Sequence, residues 1–197
     1  MDNNNYVKIL NNLINFGIDE NEELTREEKF KRMQDFRNSL SYEKYEFLFI
    51  DIEKYLLNEN VSLQDKDTTL TTLLELIRSY SIFEDNVDKF PINIQQIYIS
   101  FMNFRRLLIL FEQVHYSEIT RIIDFEEVMN SYMDYLDSPE NELFINVCFS
   151  KIENFNSNIL DYLNKKDYNG IKHIDNINNP ELINLLKTKI NGLQNKR

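Results

Sequence analysis

Glycine and proline are almost missing from this chain, with three of each in 197 residues and the glycines at positions 17, 170 and 192. Tight hairpin turns need residues that accept positive φ, and a sheet fold of this length would need many such turns. Asn169-Gly170 is followed by a mixed polar stretch rather than an alternating strand. Apolar residues recur instead at steps of three and four, which is the helical period. The expected fold is therefore all-α: a single domain of seven to eight helices over residues 1–197, built as an irregular bundle or as a HEAT-like stack of antiparallel helix pairs. At 42% hydrophobic residues, with 14 Phe and 11 Tyr, the chain can build a core without covalent staples.

Capping signals place the helices. The first spans about Asn5 to Phe16, with Gly17 as its stop. The acidic linker Asp19-Glu20-Asn21-Glu22-Glu23 follows, and then Thr25 with Glu28 makes a capping box for a helix reaching about Ser39. Ser41 caps a third helix with Tyr45, Leu48, Ile52, Tyr55 and Leu56 on its apolar face. Asp67 is the expected cap of a fourth, through Leu70, Leu73, Leu74, Ile77 and Tyr80. The fifth, about Asn93 to Val114, is apolar nearly all round, and such a helix is usually central. Phe101, Phe104, Leu108 and Phe111 are its expected buried stripe. Ser117 caps a sixth helix to about Asp137. Ser138-Pro139-Glu140 starts a seventh, bent near Asn154 to Asn158, and Asn179-Pro180-Glu181 starts the last, which ends near Gly192. The two proline starts lie 41 residues apart, a spacing within the range of HEAT-type repeats.

The residues that usually carry catalysis are sparse. His115 and His173 are the only histidines, and Cys148 is the only cysteine, set in the apolar run Phe144-Ile145-Asn146-Val147-Cys148-Phe149. An inert, buried thiol is the expected reading, and no intrachain disulfide can form. Glu112 and His115 make one Glu-x-x-His pair, whereas a di-iron bundle needs two such pairs and two further inward Glu. No Cys or His spacing suits zinc, and no Gly-rich phosphate loop or Gly-x-Ser-x-Gly elbow occurs. The expectation is a protein that is not an enzyme and takes no cofactor or metal. The polar start, Met1-Asp2-Asn3-Asn4-Asn5, lacks a signal-peptide hydrophobic region, so a cytoplasmic location is expected.

Arg105-Arg106 interrupts the most apolar helix. The expected arrangement has one arginine reaching solvent and the other paired with a neighbouring acid. The segment Asn103-Phe104-Arg105-Arg106-Leu107-Leu108-Ile109-Leu110-Phe111-Glu112 resembles the Asn-Trp-Gly-Arg opening of the central helix in the Bcl-2 family. The family's glycine, which lets its ligand helix approach closely, is Arg105 here. The resemblance implies a viral regulator of apoptosis. A helical scaffold is the other alternative to the reading that follows.

Charge carries the most specific signal. Acids outnumber bases 33 to 22, a net charge of −11, which disfavours direct contact with nucleic acid or anionic membrane and favours basic partners. All of this excess lies in residues 1–136, with 25 acids and 14 bases; residues 137–197 are neutral. On the sixth helix Thr120, Asp124, Glu127, Ser131 and Asp134 share one face, opposite Ile122, Phe125, Met129, Tyr132 and Leu136. The expected partner-binding residues are Asp124, Glu127, Ser131, Asp134, Asp137 and Glu140. The expected function is an acidic, stoichiometric inhibitor that covers a basic, nuclease-type partner. In size and composition the chain resembles a bacterial immunity protein or antitoxin.

Overall fold

A computed structural model describes residues 4–18, 22–116, 125–164 and 180–194. Among the described residues every regular element is helical, and the fold is an all-α bundle. None of these helices is long and apolar enough to cross a membrane. The chain divides into two compact units, residues 1–98 and 99–197.

The first unit begins with α1 (Asn4–Ile14), α2 (Arg26–Ser39), α3 (Tyr42–Leu57) and α4 (Leu63–Ser79). A short α5 (Ser81–Glu84) and a 3-10 turn at Val87–Lys89 lead to α6 (Ile92–Tyr116), whose residues to Tyr98 belong to this unit. α1 closes as expected: Gly17 has φ of +65° and its N–H donates to the Asn12 carbonyl at 2.7 Å. α4 is the unit's central helix, with Leu70, Leu73, Leu74, Leu76 and Ile77 buried. α1 packs along it, and the Tyr80 hydroxyl just past α4 donates to the Leu13 carbonyl at 2.6 Å. Phe49, Phe83 and Phe90 form an aromatic cluster with Tyr42; the Phe49 and Phe90 rings stack at 4.3 Å.

Two helix starts in this unit differ from the sequence reading. α4 begins one turn earlier, capped by Ser62, whose hydroxyl accepts from the Asp65 N–H at 3.1 Å. Asp67 is therefore not a cap but a buried residue inside the helix. α6 is capped from outside its own sequence: the Glu53 carboxylate of α3 accepts from both the Asn93 N–H and its Nδ2, each at 3.0 Å. A carboxylate at a helix N-terminus satisfies orphan N–H groups and complements the helix dipole.

The second unit contains α6 from Ile99 onward, α7 (Phe125–Asp137), a 3-10 turn at Pro139–Asn141, α8 (Glu142–Val147), α9 (Phe149–Asn164) and α10 (Pro180–Gln194). Both proline starts are helix starts. Phe104, Tyr132, Phe144 and Phe155 are the core of the unit, with Phe104 and Phe155 edge to face at 5.4 Å. α10 packs against α7 and α9 through Leu182, Leu186 and Ile190, which recur every four residues.

Three expectations fail here. The break near 154–158 is absent, and the helix is interrupted at Cys148 instead, which has φ −94° and ψ 47°. Asn156, in the middle of that stretch, is buried in the core and bonded to Tyr132. α6 is not enclosed all round: Ile92, Ile99 and Ile109 are 70%, 56% and 46% exposed. On its buried stripe Phe101, Phe104 and Phe111 are where expected, but Leu107 is buried and Leu108 only half-buried. With apolar residues on every side, periodicity could not choose between adjacent leucines.

Candidate functional site

The acidic face of α7 is held rigid from behind. Val128, Met129, Tyr132, Met133 and Tyr135 are buried. Tyr132 meets Phe155 edge to face at 4.8 Å, and its hydroxyl donates to Asn156 Oδ1 at 2.6 Å. The Tyr135 hydroxyl donates to the Ser100 carbonyl on α6 at 3.1 Å. Burial pushes the Tyr135 hydroxyl well above the usual phenol range, with smaller contributions from Tyr132 and Cys148.

The helix end is pinned as well. The Ser138 N–H donates to the Asp134 carbonyl at 3.0 Å, and Asn141 Nδ2 donates to the Tyr135 carbonyl at 2.9 Å. Ser100 Oγ donates to the Glu140 carbonyl at 3.0 Å. These bonds lock the turn after α7 against α6 and leave its outer surface as a fixed array.

Glu127, Ser131 and Asp134 are exposed on that surface, at steps of four and three. Among the described residues no cation pairs with Glu127 or Asp134. Asp124 lies outside the described residues, as do Thr120 of the same face and Ile122 of the opposite one. Asp137 departs from the expectation of an uncompensated acid: its carboxylate pairs with Lys189 of α10, a half-buried lysine. Nothing in the spacing of α7 reveals a lysine 52 residues downstream, so this pairing had no local signal. Glu140 is exposed but sits on the 3-10 turn, off the α7 face. The residues the structure brings together are therefore Glu127, Ser131 and Asp134.

The remaining candidates do not converge. Among the described residues no three His, Cys, Asp or Glu side chains lie close enough to hold a metal ion. Glu112 is exposed, while the His115 side chain and all of His173 lie outside the described residues. Cys148 is buried and forms no disulfide. Arg106 reaches solvent as expected, but half-buried Arg105 points Nη1 at Met102 Sδ, 3.9 Å away, and no acid pairs with it among the described residues.

A second charged face went unread in the sequence. α2 is the one long helix of the first unit with no buried side chain. Arg26, Phe30, Met33 and Arg37 step along it by four, three and four, so they share a face, with Lys29 at its edge. That spacing was visible in the sequence, hidden only by the many acids around it.

Comparison with protein-family models, with curated proteins and with solved structures finds no match.

Proposed function

We propose that this protein is a stoichiometric inhibitor that acts in the cytoplasm and covers a basic partner with the acidic face of α7, in the manner of an immunity protein or antitoxin. The observation that supports the reading is the pairing of a sealed inner stripe with an outer row, Glu127, Ser131 and Asp134, that is exposed and carries carboxylates with no cation partner among the described residues.

Like charges along one helix face repel each other, and a basic surface opposite them would relieve that repulsion. A nuclease must present lysine and arginine to hold phosphate, and an array of carboxylates can occupy the same cleft. The fixed backing of α7 matters for this role. Side chains on a rigid helix lose less freedom on docking than side chains on a mobile loop.

A photo-crosslinking residue at Ser131 tests the reading in the source cells. The expected result is one dominant adduct with a basic protein, abolished when Glu127 and Asp134 are replaced by lysine. An adduct with an acidic protein, or one indifferent to the charge reversal, would contradict it.

A further inference from the structure

We infer that, without a foreign partner, the chain binds a second copy of itself by seating the cationic face of α2 on the acidic face of α7 of the other copy. The inference uses the same α7 face as the proposed function but needs no foreign protein, so each can fail alone.

α2 is an unusual helix for a chain of net charge −11: it carries five bases and three acids. The acids Glu27, Glu28 and Asp35 lie away from the stripe of Arg26, Phe30, Met33 and Arg37. Phe30 is 61% exposed at the middle of that stripe. Phe36 ties the helix to an aromatic cluster, meeting Phe16 and Tyr80 at ring distances of 6.3 and 6.2 Å. Helices in globular proteins draw most of their stability from a buried apolar face, and α2 buries none fully. Arg37 is held in place by the Phe16 ring, 5.3 Å from its guanidinium carbon, and Arg26 and Lys29 have no ion pair among the described residues.

The two faces match in charge and in length. Lys29, Met33 and Arg37 step by four and four, a span of about 12 Å, and Glu127, Ser131 and Asp134 step by four and three, about 10.5 Å. Laid antiparallel, Lys29 meets Asp134 and Arg37 meets Glu127. Met33 then falls opposite Ser131, which is small enough to let it and the Phe30 ring approach the α7 backbone. Each copy carries both an α2 face and an α7 face, so a second copy can supply either side of the contact. The bond would occupy α7 until a more basic partner displaced it.

Sedimentation velocity on the full chain tests this. The wild type should show a concentration-dependent dimer. R26E/K29E/R37E and E127K/D134K should each dissociate about tenfold more readily, because attraction becomes repulsion at several exposed pairs. Mixing the two variants should restore a dimer, since each supplies the charge the other now needs. A wild type that stays monomeric up to roughly 1 mM, the weak end of specific association, would overturn the inference, and so would a dimer that both variants leave intact or a mixture that fails to recover.

Discussion

The Tyr132 hydroxyl of α7 donates to Asn156 Oδ1 of α9 across 2.6 Å in the core of the second unit, and both side chains are almost completely enclosed. Asn156 Nδ2 has no partner among the described residues. The pair fixes α7 against α9 and thereby fixes the direction in which the acidic face points. Tyr132→Phe strips the amide of its bonded oxygen partner and should cost about 1–3 kcal/mol in denaturant unfolding. Replacing both groups, in Tyr132→Phe with Asn156→Val, should cost less than the sum of the single changes. Additive losses would show that the hydrogen bond does not couple the two helices.

Tyr135 makes stability sensitive to alkali. Its hydroxyl is protonated in the fold and titrates well above the usual phenol value because burial disfavours the phenolate. A group whose folded value is raised contributes stability that is complete below its unfolded value, about pH 10, and is lost as pH rises toward the folded value. Thermal midpoints should therefore fall steeply above about pH 10. Tyr135→Phe should flatten that fall, although the tyrosines at 6, 42, 55 and 80, raised in the same direction, keep part of it. An unchanged alkaline slope in Tyr135→Phe would count against the assignment.

The capping box of α2 gives the opposite pH dependence. Glu28 accepts from the Thr25 hydroxyl at 2.6 Å and from its N–H at 2.9 Å, and these bonds lower the carboxyl below the usual range. The contribution is present above the unfolded carboxyl value and is lost as pH falls through the lower folded value. Because α2 buries no side chain fully, Thr25→Ala should loosen α2 locally, by about 1 kcal/mol, with little effect on the global unfolding midpoint. Protection of the amides in residues 26–39 should fall selectively, and the gap between variant and wild type should narrow in acid, where a protonated Glu28 no longer accepts from Thr25 in either protein. Uniform destabilisation of the first unit would contradict the picture of α2 as a weakly tethered helix.

Core substitutions should separate the two neighbouring leucines of α6. Phe104→Ala, at a fully enclosed site touching Tyr135, Phe144 and Phe155, should cost about 3–5 kcal/mol. Leu107→Ala should cost more than Leu108→Ala, since Leu107 is 6% exposed and Leu108 half-buried. The reverse order in chemical denaturation would place the stripe one residue further along.

Local signals in the sequence were read well. The Thr25–Glu28 box, the Ser41 cap and the stop at Gly17 each depend on residues within a few positions of each other, and each is present. The sealed inner face of α7 was legible for the same reason: Met129 and Tyr132 are buried where the period places them. Features set by distant residues were not legible. The Glu53 cap on Asn93 spans 40 positions and the Lys189 pair with Asp137 spans 52, and neither leaves a periodic trace. The Ser62 start of α4 was missed because Asp67, five residues on, is an equally good cap by type. The expected bend near Asn154 to Asn158 is a continuous helix instead, because in a chain this rich in Asn the residue type does not mark a break.

The direct measurement is the association rate of the basic protein captured at Ser131 with wild type and with E127K/D134K, at low and at high salt. The account predicts that the variant associates about tenfold more slowly at low salt, and that the two rates converge as salt screens the charges. Equal rates at low salt would contradict it, and would leave Glu127 and Asp134 as a solvated surface with no part in docking.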